Sequence, residues 1–191
     1  MQVESALELE LGLAEAVEGW MSREELAELA CSAARVPSGQ AVVEIGNYRG
    51  RSTVALALGA RRAGAHVWSV DPHAEFVGPR GGRFGRADMA QLYANLARSG
   101  VGADVSLVCL PSLAAARAFE GSIGLLFIDG DHRYAAVRAD FEAWSAHLAP
   151  GARVIFDDLD FADVARWTGE LVAAGRLTSE GSTGKLGLFR A

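Results

Sequence analysis

The sequence predicts an α/β fold in which a mostly parallel sheet is covered by helices on both faces. Two observations carry that expectation. From residue 41 onward, short apolar strand-like runs alternate with Ala/Leu-rich helical runs, the pattern that βαβ crossovers impose. Several of the apolar runs also end in acids, at Asp71, Asp129 and Asp157-Asp158. Parallel strands deliver such residues to one edge of the sheet, the edge at which open α/β folds bind ligands.

Taken in order, the first forty residues read as helix. Leu7, Leu11, Val17 and Trp20 fall at helical spacing, and Ser22 followed by Arg23-Glu24-Glu25 reads as the N-cap and capping box of a second helix running to about Arg35. Pro37-Ser38-Gly39 ends that segment. Strands are then expected near 41–46, 65–70, 104–109, 123–129 and 152–157, with helices near 51–63, 87–99, 112–119, 134–148 and 162–174. The tail reads as a closing β-hairpin, in which Arg176 to Gly181 and Lys185 to Arg190 flank Ser182-Thr183-Gly184. The run from Gly78 to Arg86 is the one long loop, either a lid whose Arg80, Arg83 and Arg86 close over a substrate or a solvated segment.

A chain of 191 residues, half of them apolar and with no Pro/Ser-rich linker, suits one domain over 1–191, with 1–38 as an N-terminal helical cap and 39–191 as the core. The formal charge is −6, and the arginines are scattered or confined to the Gly-rich loop. No nucleic-acid stripe or polybasic membrane patch is expected, so small-molecule partners fit best. Acids at Glu4, Glu8 and Glu10, and no uninterrupted apolar run of about 18 residues, lead to the expectation of a cytoplasmic protein. Cys31 and Cys109 are expected to be two buried thiols.

The chemistry concentrates in four places. Val42-Val43-Glu44-Ile45-Gly46-Asn47-Tyr48-Arg49-Gly50-Arg51-Ser52-Thr53 sits at the first strand-to-helix turn, where glycine lets a ligand approach the backbone and the helix N-terminus offers N–H groups to an anion. Its spacing is neither the Gly-x-Gly-x-x-Gly of dinucleotide dehydrogenases nor a P-loop. Asp71 closes the second strand about twenty-five residues after Gly46, a placement suited to the two hydroxyls of a ribose. Glycine turn and acid together point to an adenosine-type cofactor. Phe127-Ile128-Asp129-Gly130-Asp131-His132 and Phe156-Asp157-Asp158 end two further strands and make a plausible divalent-metal site. His132, three residues beyond Asp129, is placed to take a proton from a substrate hydroxyl.

Bland readings stand beside these. Asp131 is expected to act as a structural cap, and His66 and His147 are given no role. Trp68, Trp144 and Trp167 are read as core or interface aromatics.

The motifs Glu44-Ile45-Gly46-Asn47-Tyr48-Arg49-Gly50-Arg51-Ser52, Val70-Asp71-Pro72-His73, Ile128-Asp129-Gly130-Asp131-His132-x-Tyr134, and Pro150-Gly151 leading to Phe156-Asp157-Asp158 resemble those of class I S-adenosylmethionine-dependent methyltransferases. Within that group the chain is similar to the small metal-dependent O-methyltransferases, especially the macrocin O-methyltransferase and cephalosporin-hydroxylase-like branch. The resemblance spans roughly residues 40 to 190. It implies a Rossmann-like three-layer αβα fold with a seven-stranded, mostly parallel sheet and an antiparallel last strand. It also implies that Gly46 and Asn47 pass beneath the methionine part of S-adenosylmethionine, that Tyr48 and Ser52 hold its carboxylate, and that Glu44 faces its amino group. Asp71 would bind the ribose, and Pro72, His73 and Ser112 would border the adenine. Asp129, Asp157 and Asp158 match metal-ligand positions, with Asp129 also near the cofactor, and Mg²⁺ is the expected ion. His132 matches the base of the sugar-modifying members. Catechol-type relatives usually carry lysine at that position and asparagine where Asp158 stands, which favours a sugar-like or natural-product hydroxyl over a catechol-type acceptor; metal-independent N- or O-methylation and a non-catalytic cofactor-binding subunit are the alternative readings. The N-terminal helices are expected to cap the cofactor edge or to form a homodimer contact.

Overall fold

The computed structural model of the chain describes residues 2–78 and 81–191. Two helices open it, α1 (Gln2–Glu15) and α2 (Arg23–Ala33). There follow β1 (Ala41–Ile45), α3 (Arg51–Ala63), β2 (Val67–Val70), the short strands β3 (Phe76–Val77) and β4 (Arg83–Phe84), α4 (Arg86–Arg98), β5 (Val105–Val108), α5 (Ser112–Ala118), β6 (Ile123–Ile128), α6 (Tyr134–Ser145), β7 (Leu148–Phe156), α7 (Ala162–Ala173), β8 (Thr178–Thr183) and β9 (Leu186–Arg190). The main sheet has seven strands in the order β5-β2-β1-β6-β7-β9-β8. Six strands run one way and β9 runs against them, pairing antiparallel with both β7 and β8. This is the sheet the motifs implied.

Period-two alternation sorts the buried side chains between two layers. On β1, Val42 packs into the core shared with α1, α2 and α3, while Val43 and Ile45 face the core shared with α5, α6 and α7. Leu125 and Phe127 of β6 join the first core, and Ile123, Leu126 and Ile128 the second. Burying side chains such as Phe127, Phe141 and Trp144 stabilises the fold by about 1.5–3 kcal/mol each.

The N-terminal helices belong to this body. Ser22 forms the expected capping box: its hydroxyl accepts from the Glu25 N–H at 3.3 Å, and its own N–H donates to Glu25 Oε2 at 2.7 Å. Leu26, Leu29 and Ala30 of α2 then pack against α3, where Gly59 lies so close to the Ala30 carbonyl that a Cβ would overlap it. Helix α1 ends at Glu15, earlier than the apolar spacing suggested. Arg51 satisfies the last carbonyl of the helix, donating to the oxygen of Glu15 (2.8 Å), and also binds the linker carbonyls of Val17 (2.7 Å) and Met21 (3.0 Å). Trp20 therefore sits in the α1–α2 linker and is 67% exposed.

Other boundaries moved for local reasons. Strand β7 starts at Leu148 rather than near 152, running through Pro150 and a Gly151 at φ 75° before its regular pairing with β6 and β9. The Gly/Arg-rich run carries β4, which pairs antiparallel with β3, Phe76 opposite Phe84. Arg80 lies outside the described residues. Cys109 is exposed, because edge strand β5 ends one residue before it, and among the described residues no disulfide joins it to Cys31. His66 and His147 make structural contacts, to Ser106 Oγ and the Ala116 carbonyl.

The register sets the site. Ile45 pairs with Ile128, and Ile128 pairs with Phe156, so Gly46, Asp129 and Asp157 leave the sheet side by side. Gly46 has φ 84°, and a Cβ there would fall 2.1 Å from the Asp129 carbonyl oxygen. Both facts require glycine. Gly46→Ala should lower stability by about 2–4 kcal/mol, a drop of roughly 5–15 °C in Tm by circular dichroism; an unchanged Tm would show that this turn tolerates a side chain.

Candidate active site

The carboxyl ends of β1, β2, β6 and β7 open into a cleft of about 660 Å³, floored by Gly46 and Asn47 and walled by Asp71, His73, Ser112 and His132. It lies where the chain order of the parallel strands reverses about β1 and β6, the place where α/β sheets part and admit ligands. The α1–α2 linker and the β3–β4 hairpin form the rim. There Trp20 stacks on Tyr48 with ring centroids 5.0 Å apart, and Phe84 meets both edge-on.

On the cofactor side, most of the expected residues line the cleft. Asp71 accepts from the N–H groups of Asn47 (3.2 Å) and His73 (2.7 Å), which holds the turn after β2 against the turn after β1. His73 is buried at φ 46°, and its Nε2 has no hydrogen-bond partner among the described residues. Ser112 accepts from Trp144 Nε1 at 2.9 Å and is hydrogen-bonded to Asp140, whose carboxyl is pushed up to about 6 by burial. Pro72 lines the same wall.

Three of the expected residues have protein partners in this structure. Glu44 does not line the cleft. Strand alternation turns it toward α3, where it is fully buried and accepts from the hydroxyls of Ser52 (2.6 Å), Thr53 (2.7 Å) and Ser69 (2.6 Å). Ser52 lines the cleft and in this structure donates its hydroxyl proton to Glu44. Tyr48, at φ 45°, directs its hydroxyl to Glu18 at the rim. The backbone N–H groups that open α3 are the free donors a helix N-terminus leaves at this turn. In the hairpin, Phe84 and Gly82 line the cleft while Arg83 and Arg86 are exposed outside it.

The acidic side is built as the register requires. His132 Nε2 lies 3.5 Å from Asp129 Oδ1 and 3.4 Å from Asp158 Oδ2, and its ring stacks on Phe161 at 5.1 Å. Asp131 accepts from the Arg133 N–H at 3.1 Å and pairs with its side chain, the structural role expected of it. Burial is the first cause that pushes up the carboxyls of both Asp129 and Asp157; the charge of Asp129 then raises Asp157 further, while Asp158 and Glu44 raise Asp129 against the pull of Lys185. His132 Nε2 and Asp157 Oδ1 are buried without a hydrogen-bond partner among the described residues.

Sequence reasoning missed Lys185. From the β8–β9 turn, its ammonium donates to Asp157 Oδ2 at 2.6 Å and Asp158 Oδ1 at 2.8 Å. Its proton is held tightly: burial opposes the charge, but Asp157 and its neighbours outweigh it. Oxygen and nitrogen atoms of Asp129, His132 and Asp157 lie within 4.8 Å of one another, as metal ligands do. The expected set of Asp129, Asp157 and Asp158 does not fit a divalent ion while Lys185 is seated, because two of its three carboxylates already hold a cation. The one signal in the sequence was compositional: of 18 basic residues, Lys185 alone is lysine.

A family profile described as a methyltransferase domain matches residues 43–159. The chain belongs to that methyltransferase family. The methyltransferase also resembles solved structures at low identity. An O-methyltransferase of Bacillus cereus in complex with S-adenosylhomocysteine is 17% identical, with TM-score 0.65 over 100% of this chain and 91% of that one. TomG of Streptomyces achromogenes, an O-methyltransferase of tomaymycin synthesis bound to S-adenosylmethionine, is 17% identical, with TM-score 0.66 over 100% and 88%. CalS11, a TDP-rhamnose 3'-O-methyltransferase of calicheamicin biosynthesis, is 21% identical, with TM-score 0.58 over 86% and 76%. The class I methyltransferase fold implied by the motifs is the fold observed.

Glu44 makes the floor of this methyltransferase pH-sensitive. Burial pushes its carboxyl up to about 7 against the pull of the three hydroxyls. The folded state therefore favours the neutral acid: this stabilisation is fully present below the ordinary value of 4.5 and is lost as pH rises through about 7. Between about pH 5 and pH 8, wild type should lose up to roughly 3 kcal/mol more stability than Glu44→Gln. Parallel denaturation curves of the two proteins would refute this.

Proposed function

We propose that the chain transfers the methyl group of S-adenosylmethionine to a hydroxyl of a small molecule, with His132 as the general base. The observation that carries this reading is the buried, unpartnered Nε2 of His132, set between Asp129 and Asp158 on the cleft wall. A buried imidazole nitrogen without a partner costs free energy, and an acceptor hydroxyl donating to it removes that cost. As the hydroxyl oxygen gains the methyl group and the carbon–sulfur bond breaks toward sulfur, the hydroxyl proton passes to Nε2. The positive charge that the ring gains lies between two carboxylates, and Phe161 holds the ring plane by stacking.

The remaining residues bind and orient. Gly46, Asn47 and the N-terminus of α3 would pass beneath the methionine end, Asp71 would take the ribose hydroxyls, and Pro72, His73 and Ser112 would border the adenine. The unpartnered His73 Nε2 suits an acceptor role toward that base. Holding oxygen and methyl carbon at near-attack distance supplies on the order of 7 kcal/mol. No step of this reading passes through a divalent ion.

A saturated hydroxyl, as on a sugar or a natural-product diol, is the acceptor we favour. Histidine stands in the base position, and CalS11, of similar fold, is a TDP-rhamnose 3'-O-methyltransferase. The exposed Leu9 and Leu13 of α1 support the expected homodimer. Among the described residues no helix is long and apolar enough to cross a membrane.

His132→Ala should cut kcat by about 10²–10⁴-fold while leaving the Kd for S-adenosylmethionine, read by titration calorimetry, within about threefold. Retained turnover would remove His132 as the base. No binding of S-adenosylmethionine to folded wild type would overturn the whole reading.

A further inference from the structure

We propose that Lys185 is the resident cation of the acidic cluster, seated where the sequence motif alone assigns a divalent ion, so that methyl transfer proceeds without metal. The catalytic half of this proposal rests on the methyltransferase reading above; the binding half stands on the geometry alone.

The lysine is built into its place from both sides. Its N–H donates to Glu25 Oε1 at 2.8 Å, and its carbonyl accepts from the Leu159 N–H at 2.9 Å. Glu25 is itself fixed by the Ser22 capping box at the start of α2. Leu159 follows Asp158 directly, so the loop that carries the acids is tied to the turn that carries the base. The side chain is 22% exposed and spans from that turn to both carboxylates.

Residue chemistry favours lysine over its alternatives here. The chain uses arginine at 17 of its 18 basic positions, yet this one is lysine. A compact ammonium directs separate protons to two carboxylates that diverge from adjacent residues, whereas a planar guanidinium matches a single carboxylate edge-on. Against a soluble ion the tether also wins by mass action. Mg²⁺ sheds its water reluctantly and must be recruited from solution, whereas the ammonium is delivered intramolecularly at high effective concentration. A dication taking Asp157 and Asp158 would have to displace two charge-assisted hydrogen bonds or sit beside the ammonium.

The test uses chelator-stripped wild-type protein and Lys185→Met, a change that keeps the length of the side chain and removes its charge. Wild type titrated with Mn²⁺ should show no saturable site up to about 1 mM, and its turnover should be unchanged by EDTA. Lys185→Met, checked for folding by circular dichroism, should gain a saturable Mn²⁺ site at least about tenfold tighter than any in wild type. Because the chain has a single lysine, lysine-selective ¹⁵N labelling gives one side-chain ammonium signal, which should be unmoved by Mg²⁺. Saturable Mn²⁺ binding by wild type below about 1 mM, loss of turnover in EDTA, or displacement of the lysine signal by Mg²⁺ would overturn the proposal. So would a folded Lys185→Met that gains no site. If that variant does not fold, the wild-type titration and the lysine signal decide. A parallel titration with S-adenosylmethionine separates the two readings: absent binding defeats the methyltransferase reading, while the Mn²⁺ and lysine results still judge the seat of Lys185.

Discussion

Negative charge gathers at one point of this molecule because neighbouring parallel strands end in register. Ile45, Ile128 and Phe156 are cross-strand partners, and strands lie only about 4.8 Å apart. The residues that follow must therefore share one small volume. With Gly46 the first of them is stripped to backbone, which lets the Asp129 carbonyl come within contact of it. The other two are acids. Burying them together is unfavourable, and the consequences spread outward: both carboxyls resist ionisation, a lysine is drawn from a distant hairpin, and a histidine is set against Asp129 and Asp158. The β8–β9 hairpin is thus more than the closing edge of the sheet. It supplies the charge that makes the other edge tolerable.

A second buried carboxylate governs the floor. Glu44 is the one acid in the interior of β1, and three hydroxyls from α3 and β2 converge on it. Asn47 extends the network by donating its side-chain N–H to Ser69 Oγ at 2.8 Å. An apolar residue at 44 could fill the space, but it would not dictate where Ser52, Thr53 and Ser69 point. The network fixes the start of α3 relative to β2, and with it the spacing between the glycine turn and Asp71. Geometry at the cofactor wall is inherited from a residue that never reaches the cleft.

The parts legible in the sequence were those written in local pattern. Alternation of strands and helices gave the layers, the capping box gave the start of α2, and strand-end acids gave the edge where the cleft opens. What escaped was either one residue out of phase or one hairpin away. Glu44 reads as a site residue by motif, yet period two turns it to the α3 side. Ser52 and Tyr48 sit in the right turn, but their hydroxyls are claimed by Glu44 and Glu18, partners that only packing reveals. Trp20 fits a helical period and instead lies in a linker, where Arg51 binds the last carbonyl of α1, that of Glu15, and the Val17 carbonyl just beyond it. Lys185 is 27 residues from Asp158 and follows Gly184 in the β8–β9 turn, so no local pattern connects it to the acids. The Gly/Arg-rich run draws the eye to its arginines, whereas its one phenylalanine, Phe84, forms the rim with Trp20 and Tyr48, since an apolar ring gains from them what solvated guanidinium groups do not.

Charge bookkeeping for the proposed reaction ties these features together. A methyl group leaves a sulfonium cation, and the acceptor hydroxyl gives up a proton, so a cation disappears at sulfur and one appears on the base. No net charge need be created or removed from the cleft; it is relocated. A site that serves such a transfer needs negative groups flanking the position where the new cation forms, and they must be held still before it forms. Asp129 and Asp158 flank His132 Nε2 in this way, and Lys185 holds Asp158 by its other oxygen. The ammonium therefore restrains the very carboxylate that receives the imidazolium. A freely exchanging ion could neutralise the same acids, but a tethered one also fixes their orientation, which is why the hairpin's lysine and the histidine of the β6 end belong to one device.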